Sequence, residues 1–258
     1  FFLINYMILI LILLIFIIFI IVNFRLPRSE YFTSTSIPHV IVSTYSDKKE
    51  IPQKVYDNIK KYAQNYKYKI YDDQEIIQFL KKYYPPNVIQ AFYSLDKGAH
   101  KADLFRYCYL YQFGGIYLDI KTELIQPLST LFNKNAQLYT VLSMHKGTVY
   151  QGIIASVPKN PLFLELIETI VMSSKPIKRY FQFTRDFYKK LIMYYNVQTL
   201  KEGYLPDPNG KYNLYLFQED CSRNAKPCKD GLDRYGKCCF VYDKQHKIIK
   251  TRYSDYPW

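Results

Sequence analysis

The chain opens on an apolar run, Phe1 to Val22, interrupted only by Asn5 and Tyr6. As a helix this run would span about 33 Å at 1.5 Å per residue, enough for a bilayer. No small-residue cleavage pattern follows it, so residues 1–23 read as an uncleaved transmembrane anchor. Phe24 to Ser36 reads as a short polar stem, and the pattern of a globular domain begins at residue 37 and runs to 258. His39 to Thr44, HVIVST, is β-branched and predicts a first buried strand after Pro38. Pro52 to Tyr66 predicts a helix. Tyr68 to Tyr71 alternates as a strand and runs into Asp72-Asp73, a turn or helix cap. Glu75 to Tyr84 predicts a helix stopped by Pro85-Pro86. His100 to Phe113 predicts a helix among apolar and aromatic neighbours, and Ile116 to Ile120 a strand directly after Gly114-Gly115. Further strands are predicted over 138–143, 152–157, 214–217, 239–242 and 247–251, with helices from Asn160-Pro161 to Met172 and from Thr184 to Tyr195. Strand and helix alternate early and strands gather late. That order predicts an α/β fold with a mostly parallel central sheet and a mixed edge.

Composition sharpens the picture only in part. Of 258 residues, 35 are Lys or Arg and 22 Asp or Glu, a net charge of +13. Such a surface favours anions: nucleotide phosphates, acidic lipid heads or nucleic acid. No nucleic-acid fold motif accompanies the charge, so no nucleic-acid partner is expected. Orientation of the anchor is pulled two ways. Arg25 and Arg28 follow the span and nothing basic precedes it, which by the positive-inside rule places the domain in the cytosol. Cys221, Cys228, Cys238 and Cys239 crowd the tail at spacings unlike a zinc pair, and disulfides there favour an oxidising lumen. The balance predicts a single-pass, type II membrane protein with a lumen-facing domain of Golgi or endoplasmic-reticulum type. Cys108, in an apolar helix, reads as a packed small hydrophobe. His39, His100, His145 and His246 form no pair at ligand spacing and read as structural.

The densest chemistry lies in KADLFRYCYLYQFGGIYLDIKTELIQPL, residues 101–128. Asp103 and Arg106 share one helix face. In apolar surroundings such a pair is costly unless it is used or fully satisfied. Gly114-Gly115 ends the helix and starts the strand at once. Tyr117 and Asp119 point the same way along that strand. A carboxylate at the carboxyl end of a buried strand is where open α/β sheets place ligand chemistry.

The block K-A-D-x-x-R-Y, followed by G-G-I-Y-L-D, resembles the sugar-binding region of glycosyltransferase family 32. Ile37-Pro38 with Thr44-Tyr45, Tyr71-Asp72-Asp73, and Gln151-Gly152-Ile153-Ile154 with Asn160-Pro161 extend the similarity from about Ile37 to Leu164. The resemblance implies a GT-A-like, Rossmann-like domain that moves a hexose from a nucleotide-diphosphate sugar to an acceptor hydroxyl on a glycan, glycoprotein or glycolipid, with retention. It implies that Asp103 and Arg106 hold the donor sugar and that Tyr117 precedes the acid motif. Asp119 becomes the first acid of D-x-D, and Tyr45, beside Thr44, stacks on the base. Gln151 joins the substrate-binding set. The tail, RYSDYPW, becomes a flap that closes over the donor with Trp258. One position departs: the second acid of D-x-D, the usual metal ligand, is Lys121. A protonated lysine cannot bind a cation. Either its ammonium replaces the metal beside the departing diphosphate, or Glu123 supplies the missing carboxylate and Mn²⁺ or Mg²⁺ binds through Asp119 and Glu123. The broken motif also admits a non-catalytic, membrane-anchored sugar- or nucleotide-binding protein.

Overall fold

The computed structural model describes residues 36–173, 180–222, 239–253 and 255–256. The chain alternates at first: β1 (Val40–Thr44), α1 (Gln53–Tyr62), β2 (Lys67–Tyr71), α2 (Asp73–Tyr83), α3 (Pro86–Ser94), α4 (Gly98–Phe113) and β3 (Gly115–Leu118). A short β4 (Glu123–Leu124) leads to the hairpin of β5 (Leu138–Leu142) and β6 (Val149–Ser156). Helices α5 (Pro161–Val171) and α6 (Gln182–Tyr195) follow. β7 (Gly203–Leu205), β8 (Leu214–Asp220), β9 (Phe240–Asp243) and β10 (His246–Lys250) complete the described elements. Local signals account for several boundaries. The Asp72 carboxylate accepts from Glu75 N at 2.9 Å while Glu75 accepts from Asp72 N at 3.1 Å, a reciprocal cap that starts α2. Pro86 and Pro161 stand in the first turns of α3 and α5, where a missing N–H costs nothing.

The strands form one sheet in the order β2-β1-β3-β6-β5-β8-β9-β10-β4, with β7 on β8. β1 is parallel to β2 and β3, and β5 is parallel to β8. β6 runs antiparallel to both β3 and β5 and lies between them. The sheet is therefore mixed rather than mostly parallel. A parallel neighbour needs a long crossover, and the short turn between β5 and β6 permits only a hairpin. Even so, β2, β1, β3, β5 and β8 all point one way, and their carboxyl ends share one edge.

Helix α4 fixes the geometry at that edge. Residues 103–110 are buried without interruption, so this stretch of the helix has no solvent face and sits in the core. It ends at Gly114, φ 64°, and β3 begins at Gly115, φ 97°. A Cβ on Gly115 would lie 2.8 Å from the Val40 carbonyl oxygen of β1. The Gly-Gly pair is thus required both for its backbone angles and for the approach of β3 to β1.

Among the described residues no helix is long and apolar enough to cross a membrane; the longest, α4, has 16 residues. That finding corrects the single-pass, lumen-facing placement, and no described helix supports the membrane partner. The apolar run 1–23 and the stem up to residue 35 lie outside the described residues. Of the tail cysteines, Cys221 and Cys239 form a disulfide that joins the end of β8 to the start of β9. Cys228 and Cys238 lie outside the described residues, and Cys108 is buried and free, as expected.

Gly115→Ala should destabilise the fold by about 1–3 kcal/mol or more, since angle and space both oppose it. Gly210→Ala, at φ 72° with nothing within 4 Å of its Cβ, isolates the angle alone and should cost less. Urea unfolding midpoints of the two variants compare them directly.

Candidate active site

The shared strand edge opens into a cleft of about 660 Å³. Thr44 ends β1 and Tyr45 follows it, Asp119 follows β3, Ser143 follows β5, and Glu219 stands at the end of β8; all line it. Asp103, Arg106, Tyr117, Lys121 and Gln151 line it as well, so the residues singled out around the D-x-D position converge on one cavity. Trp258 lies outside the described residues.

Arg106 is the hub. Its NH2 lies 3.2 Å from Asp103 Oδ1 and 3.5 Å from Asp119 Oδ1. Its Nε donates to Ala102 O at 3.1 Å, its NH1 donates to Gln151 O, and its guanidinium lies 4.2 Å from the Tyr117 ring centre. These contacts engage all three nitrogens of the guanidinium. Burial lowers the basicity of Arg106, but Tyr117, Asp103 and Asp119 outweigh that and hold it charged. Asp103 has one guanidinium to share with Asp119. Burial raises its carboxyl to about 7 against the attraction of Arg106, and the Asp119 charge adds to the rise.

Exposure increases outward from this hub. The side chains of Arg106 and Asp103 are 5% and 9% exposed, Asp119 19%, and Lys121 33%, so Lys121 is the group best placed to meet a ligand. Lys121 Nζ lies 3.4 Å from Asp119 Oδ2. Asp119 raises the Lys121 pKa well above the lysine range, and burial only partly opposes it. The main chain fixes both residues: Asp119 N donates to Gly152 O at 2.8 Å, and Tyr253 N donates to Lys121 O at 2.8 Å.

Glu123 does not join the cluster. The chain turns between Asp119 and Thr122, whose N donates to Asp119 O at 2.8 Å, so the two-residue period of a strand is lost. Glu123 instead pairs with β10, its carboxylate 3.3 Å from Lys250 Nζ. The Asp119–Glu123 metal pair finds no support in this geometry. Both oxygens of Asp119 already face cations, and a divalent ion needs several oxygen ligands. The residues present therefore do not fit Mn²⁺ or Mg²⁺ at that pair. Glu219, Cys221 and Cys239 approach one another at ligand spacing, but the two cysteines are bonded together.

Other side chains tune the walls. Tyr117 OH lies 3.2 Å from Thr44 Oγ1. Gln151 Oε1 accepts from Tyr107 OH at 2.6 Å, while its Nε2 is buried without a hydrogen-bond partner. An orphan amide in the wall of a cleft fits an oxygen supplied by a ligand. The tail reaches the site: Tyr256 lines the cleft, and Tyr253 packs with Ile51, Val55 and Ile120. Sequence reasoning missed Glu219 and Tyr150 and took His145 as structural, though all three line the cleft. The available signal for Glu219 was its place at the end of a late strand, predicted to stop at Phe217 but continuing to Asp220.

Residues 49–138 match the family model described as "Glycosyltransferase sugar-binding region containing DXD motif". The chain is similar to the initiation-specific alpha-1,6-mannosyltransferase of Saccharomyces cerevisiae, 35% identical over 94 residues, covering 35% of this chain and 20% of that protein. It is also similar to a mannosyl phosphorylinositol ceramide synthase of the same yeast, 27% identical over 137 residues, or 52% of this chain and 35% of the relative. The chain thus spans only a fifth to about a third of these relatives. Among solved structures, the PaToxG glycosyltransferase overlaps 61% of this chain and 68% of its own, at TM-score 0.47 and 17% identity. The match over 49–138 takes in Asp103, Arg106, Tyr117, Asp119 and Lys121, so the residues that converge on the cleft lie within the segment that resembles the DXD-type glycosyltransferase sugar-binding region.

Proposed function

We propose that the chain is a GT-A-type hexosyltransferase that moves a sugar from a nucleotide-diphosphate donor to an acceptor hydroxyl, with retention. The observation that carries this reading is the ladder of charge in the cleft, from buried Asp103 and Arg106 through Asp119 to the more exposed Lys121. Tyr45 and Tyr256, at the β1 side of the cleft, offer aromatic surface to the base. Asp103 and the Gln151 amide receive sugar oxygens and hydroxyls. Arg106, buried and with all three nitrogens engaged, positions Asp103 and Asp119.

In the transfer step the bond between the anomeric carbon and the β-phosphate oxygen breaks, and its electron pair goes to that oxygen. The acceptor oxygen bonds to the anomeric carbon on the same face, and its proton passes to the departing phosphate. Charge therefore builds on the diphosphate, and the Lys121 ammonium, held by Asp119, stabilises it in place as a preorganised cation. The named mannosyl activities of the relatives make mannose donors the first to test. The lysine in place of an acid also favours a second reading, a sugar-nucleotide binding protein without turnover.

Release of nucleoside diphosphate from a panel of donors, with and without a chelator, separates these readings. Turnover should survive exhaustive chelation, and Lys121→Ala should lower it about 10²–10³-fold. No release from any donor would leave only the binding protein, and loss on chelation would remove the lysine clamp.

Donor affinity should also depend on pH. Below about 7 Asp103 is neutral and the cluster carries net positive charge; above about 7 it ionises and that excess is lost. Affinity for a nucleoside diphosphate should therefore weaken as pH rises from about 6 to about 8. In Asp103→Asn, which cannot ionise, the decline should be smaller by calorimetric titration. Parallel curves for variant and parent would exclude Asp103 as the titrating group.

A further inference from the structure

We propose that the β5–β8 end of the cleft is the acceptor subsite and that it takes a cyclic polyol: Glu219 receives a ring hydroxyl while Phe181 and Tyr180 pack against the C–H face. The inference rests on the transferase reading and names the second substrate of that site.

Glu219 is 8% exposed and yet lines the cleft. Its Oε2 accepts from Ser143 Oγ at 2.8 Å and from Met144 N at 3.2 Å, both just beyond β5. These bonds fix the carboxylate, and both fall on one oxygen. Oε1 has no hydrogen bond to the described residues, so the carboxylate keeps acceptor capacity for a hydroxyl donor. A buried carboxylate with spare capacity at a cleft wall is costly unless a ligand uses it. Lys121 and Glu219 line the same cleft.

The neighbouring wall is aromatic and open. Phe181 and Tyr180 are 38% and 54% exposed, their ring centres 5.2 Å apart, and the His145 ring lies 5.1 Å from Phe181. All three line the same cleft. Exposed rings beside a fixed carboxylate match a molecule with one apolar face and a hydroxyl edge. A sugar ring has both, and so does an inositol ring; a serine or threonine side chain has no such face. In the sheet, β6 and β5 separate β3 from β8, so Glu219 stands roughly 14 Å across the strands from Asp119. That leaves room for the donor hexose at one end and an acceptor ring at the other.

The test uses the full chain with two probes, methyl α-mannoside and myo-inositol. Saturation-transfer NMR should show ring protons of at least one probe bound by the parent. Glu219→Gln and Phe181→Ala should each weaken that binding about tenfold. Binding of the mannoside alone assigns a sugar acceptor, and of inositol alone an inositol headgroup; no binding of either overturns the subsite. With turnover assayed, the ratio of transfer to donor hydrolysis should fall about tenfold in Glu219→Gln. A ratio equal to the parent's overturns the subsite while the transferase stands. Probe binding without nucleotide release from any donor overturns the transferase reading and leaves a polyol site.

Discussion

A guanidinium only 4% exposed has to be neutralised where it stands, and much of the site follows from how Arg106 meets that demand. Stripping a partner from such a buried charge costs about 3–5 kcal/mol. Arg106 is satisfied by three elements at once: the Ala102 carbonyl within α4, the Gln151 carbonyl of β6, and Asp119 just past β3. The helix must therefore lie deep, the two strands must be neighbours, and the chain must turn directly after Leu118. Asp119 is oriented by that turn and that cation, and Lys121 is oriented by Asp119. The geometry of the cleft is thus an extension of core packing rather than an addition to a loop.

The electrostatics carry the same logic outward. Two carboxylates and two cations nearly cancel inside the cleft, and the balance tips through Asp103, whose ionisation near neutral pH is set by burial. A site that cancels its own charge avoids the cost of isolated buried ions. It also leaves its outermost member, Lys121, as the most exposed cation of the cluster. In this chain lysine stands where a metal ligand stands in the D-x-D pattern, and the surroundings are arranged for an ammonium.

How much of this could be read from the residues differs by element. Strands β1, β2, β3 and β5 and helices α1, α2, α4, α5 and α6 announced themselves through β-branched runs, apolar patterning and proline or glycine stops. The Asp103–Arg106 face and the Tyr117–Asp119 alternation survived into the structure because helix and strand periods are local properties. Helix α3 was hidden because Pro85-Pro86 reads as a stop, although Pro86 begins a helix. β4 and β7 are too short to show a period. The reversed direction of β6 was lost because pairing between distant strands leaves no local trace. Glu123 was misplaced for the opposite reason: a local period was extended across a turn. Glu219 carries no local signal, since only tertiary contact with Ser143 and Met144 distinguishes it.

Strand β6, running against its neighbours, has a consequence for divergence. It holds Asp119 through Gly152 on one flank and pairs with β5 on the other, so it acts as a partition along the strand edge. Substitutions more than about 7–10 Å apart without shared partners tend to add independently. Lineages built on this scaffold can retune the far side of the partition by point changes while the near side keeps its chemistry.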